Sequence, residues 1–185
     1  MQKQSRKLDL DLLKEGLPCI SAARGMFYRE AVIVGLKKQG HQSGILMEIS
    51  GAFQEKFEVV WEDDIDILTV NSWRDELQIA NFGAVGIALL LMKSLLEIIS
   101  FEEGVIGTGI DFWVSTKDYL KAQIPFMERE ARLEISGILE EKPSNTVNMR
   151  IGKKRKQMHP TDHLELTGWI IVVEFKTPKS KIEKK

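Results

Sequence analysis

The arrangement of apolar segments in the second half of the chain constrains its fold most. A long segment at 73–99 is apolar on nearly every side in its middle, which is typical of a helix packed deep against a sheet. Two strand-like segments follow at 109–114 and 132–139, then a polar, basic helical segment at 145–158 and a β-branched segment at 168–175. The order helix, strand, strand, helix, strand predicts an α/β domain.

Local signals predict where the helices begin and how closely they pack. A first amphipathic helix is predicted over 21–39, where apolar residues recur at helical intervals. Asn71 or Ser72 is the predicted N-cap of the long helix, because such short polar side chains accept hydrogen bonds from free N–H groups in a first turn. Gly83 and Gly86 lie in its apolar middle, where the missing Cβ permits close approach of a neighbouring element.

The N-terminal third adds a hairpin, and both chain ends are predicted to be solvated tails. Segments 45–50 and 57–61 are short and rich in apolar and aromatic residues, and a glycine lies between them, which favours a β-hairpin. Residues 1–7 and 176–185 are polar, and the second segment is rich in lysine. Segments of this kind are usually frayed and solubilising.

Length and composition fit one cytoplasmic domain. A chain of 185 residues has the size of an ordinary domain, predicted to span 1–185 with its core at 72–175. Cys19 is the only cysteine, so neither an internal disulfide nor a cluster of zinc-binding thiolates can form. No signal-peptide pattern opens the chain, and the most apolar run, 84–92, is far shorter than the ~20 residues of a membrane span. We expect a cytoplasmic protein without membrane attachment.

The absence of several motifs narrows the classes of enzyme. The chain contains no G-x-x-x-x-G-K-[ST], G-x-S-x-G, H-E-x-x-H or strand-linked G-x-G-x-x-G. We therefore expect no nucleotide cofactor, and neither a serine-hydrolase nor a zincin site.

Charge is distributed unevenly along the chain although the net charge is −1. Segment 55–66 contains six acidic residues and one lysine, whereas 143–161 contains basic residues and no acidic one. A basic face can attract nucleic-acid phosphates, although a solvated helix face is the plainer interpretation. The candidate nucleic-acid-binding residues are Arg150, Lys153, Lys154, Arg155 and Lys156.

Two carboxylates lie on neighbouring predicted strands. Asp111 follows the segment Gly107-Thr108-Gly109, whose glycines can bring the backbone close to a ligand. Glu134 lies in Arg132-Leu133-Glu134-Ile135-Ser136, where alternation places the three polar side chains on one face. Two such carboxylates supply the hard oxygen ligands that Mg²⁺ or Mn²⁺ prefers. A hydrogen-bonded turn carboxylate and a plain polar row are the structural alternatives.

On these residues, segment 72–175 resembles the PD-(D/E)xK nucleases of the restriction-endonuclease-like superfamily. In that family a helix precedes an Asp-bearing strand, a second strand carries (D/E)xK, and a helix and a strand follow. The resemblance implies a mixed sheet flanked by helices, with the N-terminal helix and β-hairpin added here, and metal-dependent hydrolysis of phosphodiester bonds. It further implies that Asp111 and Glu134 hold Mg²⁺ or Mn²⁺, with the carbonyl of Ile135 as a third ligand.

The chain departs from the family motif at its lysine. The family's lysine would fall at Ser136, whose hydroxyl cannot supply the positive charge that helps to activate water and to stabilise the transition state. Some members carry this lysine on the following helix, and the sequence does not select among the lysines there. The candidate catalytic residues are therefore Asp111, Glu134, Ser136, Lys153, Lys154 and Lys156.

Two further likenesses bear on the site. The family often places a glutamate on the preceding helix, where Glu76 and Glu97 are candidates, although Glu97 can equally pair with Lys93. Segments 107–113 (GTGIDFW) and 132–137 (RLEISG) also resemble an unassigned bacterial family, a likeness that supports the fold and implies no activity.

Three functions stay open on the sequence alone. The first is a Mg²⁺-dependent nuclease or nucleic-acid-processing enzyme. The second is a catalytically inactive nuclease fold that serves as a binding or scaffold module. The third is a homodimeric structural protein, joined through its acidic and basic surfaces.

Overall fold

The computed structural model describes residues 6–119, 121–123 and 128–185, which form eight strands and four α-helices. The strands are β1 (Arg6–Asp9), β2 (Ile45–Gly51), β3 (Glu55–Val60), β4 (Ser100–Glu103), β5 (Phe112–Ser115), β6 (Ala131–Ile138), β7 (Thr167–Glu174) and β8 (Lys179–Lys184). The helices are α1 (Ala22–Lys38), α2 (Ile67–Ser72), α3 (Glu76–Leu96) and α4 (Val147–Gln157). Two 3-10 helices occupy Leu10–Leu13 and His159–Leu164.

All eight strands join in one mixed sheet of order β1-β3-β2-β8-β7-β6-β5-β4. Strand β6 is parallel to β7 and antiparallel to β5. Leu133 and Ile135 of β6 belong to the main core with residues of α1 and α3, whereas Ile138 packs with Val147 and Ile151 of α4. Helices α1 and α3 therefore cover one face of the sheet and α4 covers the other, which confirms the predicted α/β fold with a mixed sheet.

The long apolar helix begins later than predicted. The chain first forms the short helix α2, and α3 starts at Glu76, where the side chain of Asp75 accepts hydrogen bonds from the N–H groups of Leu77 and Gln78. Neither Asn71 nor Ser72 is the N-cap, because both lie inside α2. The physical reason is that an acidic residue next to the first free N–H groups satisfies them and complements the helix dipole.

Close packing of α1 on α3 depends on glycine, as the sequence predicts. A Cβ atom at Gly86 would lie 2.7 Å from Cγ2 of Val32 and 3.1 Å from the carbonyl oxygen of Tyr28. A Cβ atom at Gly83 would lie 2.7 Å from the Phe175 ring. These contacts bring the N-terminal helix close to the residues that line the site described below.

The prediction of solvated tails is wrong for the ends that the structure describes. Strand β8 pairs with both β7 and β2 inside the sheet, and β1 pairs with β3. Ser180 and Ile182 are fully buried, while the charged residues that alternate with them are partly exposed. This alternation of charged and buried positions is the strand signal. Residues 1–5 lie outside the described part of the chain.

Helix α3 is long and apolar enough to cross a membrane by length and composition alone. In this structure 61% of its most apolar window is buried, against the sheet and α1. Its apolarity is therefore explained by its central position in the core.

Candidate metal centre

The candidate centre lies where β5 separates from β6. The terminal pair of the two strands is Phe112 with Leu133, and Asp111 lies just before the start of β5, where its N–H donates to the carbonyl of Leu133 at 3.0 Å. Oδ2 of Asp111 then accepts a hydrogen bond from the N–H of Ile135 at 2.7 Å. The N–H and C=O of one strand residue point to the same side, so the carbonyl of Ile135 also faces this open edge.

Glu134 lies beside Asp111 but points to the face of β6 that α4 covers. Only 3% of the residue is exposed, and Nζ of Lys154 donates to its Oε1 at 2.6 Å. Its other oxygen, Oε2, is buried without a hydrogen-bond partner among the described residues. A buried, unsatisfied carboxylate oxygen is unfavourable, so the pocket is suited to an additional cation or proton.

The electrostatics of Glu134 follow from these neighbours. Burial raises the pKa of Glu134 to about 7, and the negative charge of Asp111 acts in the same direction. The ammonium of Lys154 lowers the pKa of Glu134, but its effect is the smaller one. One ammonium therefore does not balance the two carboxylates, which is the pattern expected of a functional carboxylate pair.

A cavity of about 250 Å³ opens beside these groups. Asp111, Ile135 and Lys154 line it, together with Asn81 and Phe82 of α3. Glu134 does not itself line the cavity, but it contacts Lys154, which does. Since a water molecule occupies ~30 Å³ of liquid, the cavity has room for a cation with several waters.

Of the three candidate lysines on α4, the structure brings only Lys154 to the carboxylates. Lys153 and Lys156 are exposed and form no ion pair with any described carboxylate. Ser136 is buried on the same face of β6 as Glu134, and its Oγ is 3.5 Å from Nη1 of Arg150. Lys154 is thus the one candidate lysine that contacts a candidate metal-binding carboxylate among the described residues.

The basic residues of α4 divide between its two flanks. Arg155 pairs with Glu183 of β8 at 2.6 Å, on the flank away from Asp111. Lys153 and Lys154 lie three and four residues after Arg150, and the three form the opposite flank, beside the open edge of β6. Arg150 makes no ion pair with any described residue. Its Nε donates to Oδ1 of Asn145.

Of the two glycines before Asp111, Gly109 lies close to the backbone of α4, a different approach from the one to a ligand that the sequence predicted. A Cβ atom at Gly109 would lie 1.8 Å from the carbonyl oxygen of Gln157, at the end of α4. The residue also has a φ of +68°, a conformation that favours glycine. Gly109 therefore fixes the loop that carries Asp111 against α4, the helix that carries Lys154.

Neither predicted helix glutamate reaches the cavity. Glu97 is the C-cap of α3, with a φ of +56°, and Glu76 lines a different cavity near the start of α3. From α3 the centre receives Asn81 instead, and from α1 it receives Tyr28, which the sequence did not indicate. No local motif marks Tyr28, since only the packing of α1 on α3 brings it there.

The residues present fit a small divalent cation. Two carboxylates, one of them with an unsatisfied buried oxygen, and an outward-facing carbonyl form a set of hard oxygen donors. Nowhere in the described residues do three or more His, Cys, Asp or Glu side chains converge as a metal cluster. Mg²⁺ needs no such cluster, because it usually keeps several waters and takes one or two carboxylates.

The likeness to a nuclease rests on these residues alone. Comparisons with protein-family models, with curated proteins and with solved structures find no match to this chain.

Proposed function

We propose that the protein is a Mg²⁺-dependent nuclease with a restriction-endonuclease-like fold. The observation that carries the proposal is the convergence of Asp111, Glu134 and Lys154 at the open edge of β6, with one Glu134 oxygen left unsatisfied. The mixed sheet, with α3 before the strand of Asp111 and α4 after the strand of Glu134, is the order that the family likeness implies.

Asp111, Glu134 and the carbonyl of Ile135 are the groups that would hold the cation. When bound, Mg²⁺ or Mn²⁺ would supply positive charge at the oxygens of a phosphodiester. The chain's own contribution is to hold both carboxylates in fixed positions. The hydrogen bond from Ile135 orients Asp111, and the ammonium of Lys154 favours the charged form of Glu134.

Lys154 takes the place of the motif lysine that Ser136 lacks. It lines the cavity and contacts Glu134, so its ammonium can donate to a phosphate oxygen or to the attacking water. A rigid helix carries it, and its side chain is only 17% exposed. Its charge is therefore held beside the reacting groups without a large entropic cost.

The site-facing flank of α4 supports binding of the nucleic-acid backbone. Arg150 and Lys153 flank Lys154 and form no ion pair with described carboxylates, so they are available for phosphates. Arg155 is engaged with Glu183, and we expect it to contribute less.

Cleavage of fluorescent DNA and RNA oligonucleotides, with Mg²⁺ or Mn²⁺ and with EDTA, tests the proposal. We expect metal-dependent cleavage by the wild type and its loss in Asp111→Asn. Glu174→Gln is the control, because Glu174 is a buried carboxylate that does not line the cavity and whose oxygens accept hydrogen bonds from Lys176 and Thr177. Cleavage that survives Asp111→Asn would contradict the proposed site.

The inactive binding module gives a different result in the same experiment. Its support is the serine at position 136 together with the ion pair that already engages Glu134. It predicts oligonucleotide binding without cleavage at any concentration of Mg²⁺ or Mn²⁺. That outcome would refute phosphodiester hydrolysis while supporting the nucleic-acid-binding surface.

A further inference from the structure

Four aromatic residues form a continuous group at one end of α1 and α3. The ring of Phe27 lies 4.9 Å from the ring of Phe82, 5.5 Å from Trp73 and 5.9 Å from Tyr28, measured between centroids. Nε1 of Trp73 donates to Oε1 of Glu30 at 2.7 Å, which fixes the orientation of the indole. We call Phe27, Trp73 and Phe82 the aromatic ledge.

The ledge is partly exposed although its rings are apolar, since Phe27 is exposed and Trp73 and Phe82 are half-buried. Phe27 is 42% exposed, whereas Tyr28 beside it is 6% exposed. Phe27 is held in place by Phe82 on α3, so its exposed surface is presented by a packed neighbour and not by a loose side chain. A fixed, exposed aromatic ring is suited to stacking against a planar ligand.

The ledge continues into the cavity of the candidate metal centre. Phe82 belongs to the ledge and lines the cavity, and Tyr28 contacts Phe27 and also lines the cavity. Asp111 and Lys154 line the same cavity. Asn81 lies next to Phe82, and its exposed amide can both donate and accept hydrogen bonds. A surface for stacking and a site for a phosphodiester thus share one cavity.

We infer that the substrate is an unpaired nucleotide strand, with a base stacked on Phe27 and the adjoining phosphate at Lys154 and Asp111. The inference rests on the proposed function. In a duplex the bases cover one another's faces, so an aromatic side chain can stack only on bases that are unpaired or splayed out. Stacking of this kind tolerates every base, so the ledge favours single strands without selecting a sequence.

A protein partner would use the ledge differently. Such a partner needs apolar surface but no carboxylate pair and no ammonium beside it. The ledge opens onto both, which favours a ligand that combines flat apolar rings with anionic groups. A nucleotide strand has this combination.

Variants at Phe27 separate stacking from simple packing. Phe27→Leu keeps an apolar side chain without a ring, and Phe27→Tyr keeps the ring. Phe53→Leu is the matched control, because Phe53 stacks on Trp169 with a centroid distance of 6.2 Å and does not line the cavity. Fluorescence anisotropy in EDTA measures binding of a 12-nucleotide single strand and of a hairpin duplex.

We expect Phe27→Leu to bind the single strand about tenfold more weakly than wild type, which is the effect of losing one base–aromatic stack. We expect Phe27→Tyr and Phe53→Leu to bind like wild type, and duplex binding to be unchanged by Phe27→Leu. Equal weakening for duplex and single strand, or none for either, would overturn the inference. Dissociation of a dimer by Phe27→Leu, without an effect on the single strand, would overturn it in favour of a protein surface.

Cleavage assays tell a failed inference from a failed function. If Asp111→Asn abolishes cleavage and Phe27→Leu cleaves single strands at the wild-type rate, the ledge is refuted and the nuclease stands. If binding depends on Phe27 and no metal supports cleavage, the ledge stands and the nuclease is refuted.

Discussion

Two of the charged clusters in this molecule are built in opposite ways. In the first, the Arg29 cluster, a guanidinium that is 4% exposed donates to Oδ1 of Asp11 at 2.7 Å and pairs with Asp64 at 2.8 Å. Lys14 adds a second cation, 3.3 Å from Asp11. In the candidate metal centre, a single ammonium serves two carboxylates, and one oxygen of Glu134 has no partner among the described residues.

The two clusters therefore shift pKa values in opposite directions. Burial alone would raise the pKa of Asp11, but hydrogen bonds from the Glu62 N–H and from Arg29 outweigh it and leave the pKa below its ordinary value. At Glu134 burial and the charge of Asp111 outweigh Lys154, and the pKa rises to about 7. The first cluster balances its charges within the fold, whereas the second leaves a buried carboxylate oxygen that an additional cation or a proton would satisfy.

The largest effect we predict is on catalysis at the candidate metal centre. Lys154→Met should lower the cleavage rate by about 10²–10³-fold, since it removes a fixed donor beside the reacting phosphate. Lys153→Met, on the same helix but exposed, should retain most of the activity and chiefly weaken binding at high salt. Initial rates on one oligonucleotide compare the two. Equal losses would show that α4 supplies only general positive charge.

The next largest effect we predict is on the stability that the Arg29 cluster provides. Arg29→Met should lower the free energy of unfolding by about 3 kcal/mol, because two carboxylates lose a buried partner. Urea denaturation at pH 7 measures the change, with Arg24→Met as the control for an exposed ion pair to Glu103. A loss no larger than that of Arg24→Met would mean that the Arg29 cluster is not structural.

The pH dependence of stability should differ in sign between the clusters. The lowered pKa values of Asp11 and Asp64 contribute stability that is present above about pH 4 and is lost as the pH falls further. The raised pKa of Glu134 works the other way, since stability falls on the order of 1 kcal/mol as the pH rises from about 5 to 7. Denaturation midpoints measured against pH should show no loss of stability below about pH 4 from the Arg29 cluster in Arg29→Met. In Glu134→Gln they should show no fall in stability between about pH 5 and 7 from this residue.

The smallest effect should be the stability change in Glu134→Gln. Removing a disfavoured charge offsets the loss of the partner of Lys154, so the free energy of unfolding at pH 8 should stay within about 1 kcal/mol of wild type or increase. Urea denaturation in EDTA measures it. A loss of several kcal/mol, comparable to that in Arg29→Met, would make the Glu134–Lys154 pair a structural ion pair.

Short-range sequence patterns predicted the features of the site that depend on neighbouring residues. Asp111 and Glu134 could be identified because strand alternation and a preceding glycine loop are visible within a few residues. The choice of Lys154 over Lys153 and Lys156 could not, because it depends on how α4 is rotated against β6. That rotation is set by the burial of residues such as Ile151 on the far side of the sheet.

Contacts between distant segments account for what the sequence did not predict. Strand β8 resembles a lysine-rich tail until β7 and β2 pair with it, and its charges then lie along a strand with a buried Ile182. The aromatic ledge combines Phe27 with Trp73 and Phe82, which are far apart in the chain and meet only because α1 packs on α3. No short motif carries either feature.

Binding of Mn²⁺, followed by isothermal titration calorimetry at pH 8, tests most directly whether Asp111 and Glu134 form a cation site. We predict that one Mn²⁺ binds to the wild type and to Glu174→Gln, that it raises the midpoint of thermal unfolding of both, and that it does neither in Glu134→Gln. Equal binding by Glu134→Gln and wild type, or no binding by the wild type, would contradict the account.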